Sequence, residues 1–149
     1  METLVIDVGT TMVGIFFVEK AAFVPYHLGH RSVALSVLQK ADEVVTYNGT
    51  KYDLWELGKL AGMTDDLPLK GIHTDMAQIC WGTWCSYPKS LRHTYLKHFD
   101  YLPIFPDTYE ANCACDVYMT FKLWELWKKG KLRVLDGQDL TVRPENEPG

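Results

Sequence analysis

Three aspartates stand in contexts that would bring their carboxylates to the edge of one sheet. Asp7 ends an apolar strand, Asp53 follows the run Tyr-Asn-Gly-Thr-Lys-Tyr, and Asp116 lies in a helix-patterned run that begins Asn-Cys-Ala-Cys-Asp. Phosphodiester hydrolysis near neutral pH is commonly carried out by two divalent cations about 4 Å apart. Hard cations such as Mg²⁺ prefer carboxylate oxygens as ligands. Three converging aspartates therefore predict a metal-dependent phosphodiesterase scaffold.

Length and composition predict one domain around these residues. The chain has 149 residues, of which 47% are hydrophobic, and this is enough for one well-buried core and too little for two ordinary domains. We expect a single domain over residues 1–149, with a flexible tail from about residue 143. The net charge of −4 excludes a global positive field that would attract nucleic acid, so any such binding must use local patches.

The termini and the cysteines predict the cellular setting. The chain starts Met-Glu-Thr without a basic segment, and Asp7 interrupts the first apolar run, so no signal peptide is expected. No run approaches the roughly 18 apolar residues that span a bilayer. We expect a soluble, cytoplasmic protein with reduced thiols. A zinc site made of the four cysteines, Cys80, Cys85, Cys113 and Cys115, is the less favoured alternative. Cys113 and Cys115 are two residues apart and would face different sides of a helix.

Apolar periodicity and turn residues predict strands and helices in alternation, which favours an α/β architecture. The expected strands are 4–6, 13–18, 22–26, 43–47 and 69–74, with Pro25 ending the third. The expected helices are 32–40, 52–61, 75–80, 88–99 and 107–129. Asp7-Val-Gly-Thr-Thr joins the first two strands as an antiparallel hairpin, so the sheet should be mixed. A second hairpin is expected around Asp136-Gly137.

Three sequence motifs resemble a known family. The three segments are Val-Ile-Asp-Val-Gly-Thr-Thr, Val-Val-Thr-Tyr-Asn-Gly-Thr-Lys-Tyr-Asp and Asn-Cys-Ala-Cys-Asp-Val-Tyr-Met-Thr. In order and spacing they resemble the motifs of the ribonuclease H-like 3′-5′ exonucleases, the DnaQ-like or DEDD group. The resemblance spans most of the chain. It implies a ribonuclease H-like mixed sheet that starts with an antiparallel hairpin and is flanked by helices.

The resemblance also implies roles for particular residues. The three aspartates would bind Mg²⁺ or Mn²⁺ and act in catalysis. Asn48 and Thr10 would contact the substrate, the 3′ end of a nucleic acid, and Asn48 could also hold the motif turn. Asn112 would at most position a water molecule, because an amide hydrogen-bonds water but does not take up its proton in this pH range.

Two departures from the family pattern imply impaired catalysis. The first motif of the family has Asp, any residue and then Glu, whereas this chain has Gly9 at the third position. Loss of an outer contact around a metal typically costs about 10- to 100-fold in affinity or activity, and loss of a ligand should cost more. Near the third motif, Asn112 and Ala111 stand where branches of the family have a Tyr or a His.

Other readings remain open from the residues. Ile-Asp-Val-Gly-Thr-Thr also resembles the phosphate hairpin of actin-like ATPases and sugar kinases, but those need two such domains and leave two of the aspartates unexplained. A non-catalytic nucleic-acid or protein-binding module could keep the same scaffold. Nucleic acid could contact a basic helix face or an aromatic loop, although solvated charge and buried packing are the plainer explanations; the residues are Lys89, Arg92, His93 and Lys97, and Trp81, Trp84 and Tyr87.

Overall fold

A five-stranded mixed sheet forms the centre of the molecule. The computed structural model describes residues 1–82, 88–104 and 107–135. The strands are β1 (Thr3–Val8), β2 (Met12–Phe17), β3 (Ala22–His27), β4 (Glu43–Thr46) and β5 (Ile72–Asp75), and their order in the sheet is β3-β2-β1-β4-β5. β1, β2 and β3 form an antiparallel meander, and β4 and β5 run parallel to β1. The predicted α/β class and the starting hairpin are confirmed.

The described part of the chain forms five α-helices, which flank the sheet. They are α1 (Arg31–Lys40), α2 (Asp53–Leu60), α3 (Met76–Trp81), α4 (Leu91–Phe99) and α5 (Tyr109–Lys128), and a short 3₁₀ turn at Leu28–His30 precedes α1. Side-chain caps fix where three of them begin: Asp75, Ser90 and Thr108 each accept a hydrogen bond from a backbone N–H in the first turn of α3, α4 and α5.

The two faces of the sheet carry two separate apolar clusters. Because side chains alternate along a strand, Leu4 and Ile6 point to one face and Val5 to the other. The first face packs against α1 and α2 through residues that include Leu38 and Leu57. The second face packs mainly against α3 and α5 through residues that include Trp81, Val117 and Leu123. Asp7 shares the parity of Val5, so its side chain lies on the α5 side.

Several boundaries differ from the sequence prediction. Pro25 does not end the third strand, because β3 is an edge strand in which Pro25 pairs with Gly14 and a missing N–H can face outward. β5 begins at Ile72 and not at Leu69. Residues 131–135 form no strand. The predicted hairpin around Asp136-Gly137 and the tail from about 143 lie outside the described residues.

Trp81 ends α3 and does not stand in an exposed loop. It is completely buried, which agrees with the favoured explanation of buried packing and excludes base stacking on Trp81; Trp84 and Tyr87 lie outside the described residues. None of the helices within the described ranges is long and apolar enough to cross a membrane.

Candidate active site

The three predicted aspartates line one cavity. Asp7 comes from the end of β1, Asp53 from the first residue of α2, which follows β4, and Asp116 from the middle of α5. β1 and β4 are parallel neighbours, so their carboxyl ends meet at the same edge of the sheet. The cavity has a volume of about 280 Å³ and is lined by Ile6, Asp7, Tyr47, Asp53, Ser90, Leu91, Arg92, Asp116 and Thr120.

A braced turn after β4 delivers Asp53 to this cavity. The carboxylate of Asp75 accepts hydrogen bonds from the backbone N–H of Asn48 at 2.6 Å and of Thr50 at 3.1 Å. Asn48 is in the left-handed backbone region with φ of 65°, which Asn tolerates better than most residues. A Cβ at Gly49 would lie 2.3 Å from the Thr46 hydroxyl oxygen, so only glycine fits there. The turn between β4 and α2 is therefore fixed.

One face of α5 supplies the opposite wall. Residues spaced three or four positions apart lie on one side of a helix, and four residues of α5 follow this spacing: Tyr109, Cys113, Asp116 and Thr120. The Cys113 thiol lies 3.8 Å from the carbonyl oxygen of Asp7, and Asp116 and Thr120 line the cavity itself. The contact through Cys113 holds this face of α5 against the end of β1.

A buried polar network positions the start of α4 on the third side. The Tyr47 hydroxyl oxygen lies 2.6 Å from that of Thr94, and the indole N–H of Trp81 donates to both oxygens, at 3.2 and 2.8 Å. The Thr94 hydroxyl in turn donates to the carbonyl of Ser90 at 3.0 Å. Burial raises the pKa of Tyr47, so its hydroxyl stays neutral. The network places Ser90 and Arg92 beside the carboxylates.

Burial and mutual repulsion both disfavour the charged form of these carboxyls. Burial, followed by the negative charges of Asp7, Asp75 and Glu56, raises the pKa of Asp53 to about 8. Burial and the charge of Asp7 raise the pKa of Asp116 to about 6, against an opposing effect of Arg92. Burial also raises the pKa of Asp7. The fold therefore holds three acids together where ionisation is costly, which is characteristic of ligand-binding and catalytic sites.

The donor atoms suit a hard divalent cation, although the protein alone does not form a complete set of ligands. Across the described residues, no three His, Cys, Asp or Glu side chains form a group that could hold a metal ion. Mg²⁺ is commonly bound by one or two carboxylates, several waters and the phosphates of a substrate. The aspartates fit this incomplete type of site, in which the substrate supplies part of the coordination.

The other predicted site residues are not among those that line the cavity. Asn48 belongs to the braced turn, and its carbonyl accepts from the N–H groups of Lys51 and Tyr52, both at 3.3 Å. The Thr10 N–H donates to the Tyr109 hydroxyl. The Asn112 side-chain amide donates to the carbonyl of Thr108 at 2.9 Å. Substrate contact by Asn48 or Thr10, and water positioning by Asn112, stay predictions.

Several residues that line the cavity had no predicted role in the site. Tyr47 and Ser90 are positioned there by the hydrogen-bonded network with Trp81 and Thr94, and no sequence pattern predicts that network. Thr120 could have been found, because it lies one helical turn after Asp116. Arg92 was recognised only as part of a basic helix face.

In comparisons with known proteins, no protein-family model and no curated protein matches the chain. The fold is α/β with a mixed sheet, and the site is defined by its three aspartates and one arginine. The assignment of a function therefore depends on the chemistry of these residues.

Proposed function

We propose that this protein is a ribonuclease H-like, metal-dependent 3′-5′ exonuclease with weak activity. The observation that carries the proposal is the convergence of Asp7, Asp53 and Asp116 on one cavity from positions more than 40 residues apart in the chain. Packing alone does not favour such an arrangement, because each carboxyl becomes harder to ionise. A cation that binds there would remove the repulsion.

One or two carboxylates from the set Asp7, Asp53 and Asp116 would hold each Mg²⁺ or Mn²⁺ ion, and waters and a phosphate of the substrate would complete the coordination. The bound metal would supply an activated water and stabilise negative charge during phosphodiester hydrolysis. Asp53 and Asp116 would lose their protons when the metal binds, so binding should strengthen as the pH rises toward about 8.

The cationic side of the cavity supports a phosphate-bearing substrate. Arg92 lines it together with the carboxylates and is close enough to Asp116 to oppose the rise in the pKa of that carboxyl. Arg92 also belongs to the first turn of α4, which Ser90 caps, and the start of a helix favours negative ligands. Carboxylates, a guanidinium group and a helix start in one cavity match a metal–phosphate ligand better than a neutral one.

The weak activity follows from two residues. Gly9 offers no fourth carboxylate, and Asn112 offers no general base. Each position lacks a catalytic group that is present in the exonuclease family that this chain resembles, so turnover should be slow. It should be detected more readily with Mn²⁺ at pH 8 than with Mg²⁺ at pH 6. The proposed preference for higher pH follows from the raised pKa values of Asp53 and Asp116.

The experiment is a nuclease assay on 5′-labelled single strands of DNA and RNA with Mn²⁺ at pH 8. We expect a ladder of products that shorten from the 3′ end. Asp53→Asn and Asp116→Asn should each reduce the rate at least about 100-fold, because each removes an anionic ligand. Asp65→Asn, at an exposed position after α2, is the matched control and should keep the wild-type rate. A ladder that persists in both site variants would point to a contaminating nuclease.

A second candidate is a non-catalytic nucleic-acid-binding domain that uses the same cavity. Gly9 and Asn112, which replace two catalytic groups, are the observation that favours it. It predicts metal-dependent binding of labelled strands in fluorescence anisotropy, with no shortened product after long incubation. Binding lost in Asp53→Asn and retained in Asp65→Asn would support this candidate over the exonuclease when the ladder is absent.

A further inference from the structure

The side chain of Tyr109 lies where a side chain at position 9 would have to be. A Cβ built on Gly9 would meet the Tyr109 hydroxyl oxygen at 2.0 Å and its ring at 2.9 Å. The backbone of Gly9 does not itself require glycine: within the described residues, the glycines with positive φ are Gly62, Gly82 and Gly130. Space, and not backbone conformation, therefore makes glycine necessary while Tyr109 keeps this position.

The Tyr109 hydroxyl is held in place and retains a proton to donate. Its oxygen accepts the backbone N–H of Thr10 at 2.6 Å. The Thr10 hydroxyl oxygen lies 3.3 Å away, which is long for a hydrogen bond between two hydroxyl groups. The phenol proton is thus free to form a better bond with an incoming acceptor. The residue is 49% exposed, so a ligand can reach it.

Two spacings relate this hydroxyl to the aspartates of the cavity. Tyr109 precedes Asp116 by seven residues, which is two helical turns on the same face of α5 and about 10 Å along the axis. Gly9, which it covers, follows Asp7 by two residues at the end of the same strand. Tyr109 therefore lies at the hairpin that ends β1, where its hydroxyl contacts Gly9 and Thr10, and is not itself one of the residues that line the cavity.

We propose that Tyr109 is a specificity-determining residue that donates a hydrogen bond to the 3′-hydroxyl oxygen of the terminal sugar, so that the site selects strands with a free 3′ hydroxyl. The inference rests on the proposed function and deepens it. A phenol at this place supplies a neutral hydrogen-bond donor where the resembling family has a carboxylate. It would recognise the strand end without binding the metal.

The test measures binding without turnover. The 149-residue protein is titrated, by fluorescence anisotropy with Ca²⁺ in place of Mn²⁺, against 5′-fluorescein single strands of DNA that end in a 3′ hydroxyl or in a 3′ hydrogen. One neutral hydrogen bond should make the wild type bind the hydroxyl end about three- to tenfold tighter. In Tyr109→Phe, this ratio should fall to about one, while affinity for the 3′-deoxy strand stays unchanged.

A control and a second variant separate recognition from folding. Tyr118→Phe removes another half-exposed phenol of α5, one near Tyr101 and not near the hairpin, and should keep the wild-type ratio. Gly9→Ala adds the Cβ that collides with Tyr109 and should lose the ratio by displacing the ring. Circular dichroism checks that each variant is folded.

The outcomes distinguish this inference from the proposed function. A ratio that persists in Tyr109→Phe, or a wild type that binds both ends equally, would overturn the role of Tyr109 and leave the exonuclease proposal standing. A wild type that binds neither strand would overturn both. Loss of the ratio in Tyr109→Phe and Gly9→Ala together, with Tyr118→Phe unchanged, is the result that supports the inference.

Discussion

Asp75 and Asp53 are two acids near the same turn, the first buried and the second partly buried, and their surroundings act on them in opposite ways. Asp75 is 6% exposed, and its carboxylate accepts backbone N–H groups of Asn48, Thr50 and Ala77 at 2.6 to 3.1 Å. Asp53 faces the cavity with other negative charges around it, and its pKa is raised to about 8. The first acid stabilises the turn, and the second is left with unfavourable electrostatics.

The difference separates acids that stabilise the fold from acids to which we assign a proposed function. Hydrogen bonds from N–H groups stabilise a carboxylate, and burial beside like charges destabilises it. Glu43 follows the pattern of Asp75: it is 6% exposed and accepts from the Thr74 hydroxyl at 2.6 Å and from the Trp124 indole at 3.2 Å. An acid that hydrogen bonds stabilise contributes to the fold, whereas acids that repel one another in a cavity are the ones for which we propose a cation.

The largest expected effect comes from removing the compensated acid. Asp75→Ala leaves three N–H groups without their charged acceptor, so the free energy of unfolding should fall by about 3 kcal/mol. The value is measured by urea denaturation at pH 7, with Asp65→Ala as the exposed control. Asp53→Ala should cost much less, since it also removes a repulsion. A loss under about 1 kcal/mol for Asp75→Ala would show that the turn does not depend on these bonds.

The next effect is a dependence of stability on pH that originates in the cavity. Asp53, with a folded-state pKa near 8, binds a proton in the folded state that the unfolded chain has released above its usual pKa near 4. The folded state then holds more protons, so the free energy of unfolding should fall as the pH rises from about 4 to 8. Asp116 contributes the same sign up to about pH 6.

Urea denaturation at several pH values in the presence of EDTA measures this slope. Asp53→Asn should remove most of the fall between pH 6 and 8, because the amide does not titrate, and Asp65→Asn should keep it. If the free energy of unfolding of the wild type is constant or rises over that interval, hydrogen bonds or positive charges stabilise the cavity carboxylates, as backbone N–H groups stabilise Asp75.

The smallest effect is stabilisation by a divalent cation. Mn²⁺ at ten times its dissociation constant should raise the free energy of unfolding by about 1.4 kcal/mol, which corresponds to about 3 to 5 °C in melting temperature. The shift should be larger at pH 8.5 than at pH 5.5, because the metal competes with protons for Asp53 and Asp116. Thermal denaturation of wild type, Asp53→Asn and Asp65→Asn measures it. Equal shifts in all three proteins would place the ion elsewhere.

The sequence by itself determined the order and type of most described elements, because strand alternation, helical spacing and capping residues are local signals. It also predicted the three aspartates that the structure brings to one cavity. Chain contacts between distant residues decided the rest. Pro25 is tolerated because β3 is an edge strand. Trp81 can be buried because its indole N–H donates hydrogen bonds to the hydroxyl oxygens of Tyr47 and Thr94. Likewise, Tyr109 occupies the space where a side chain at Gly9 would lie. The two residues are 100 positions apart in the chain, so no local sequence pattern predicts this contact.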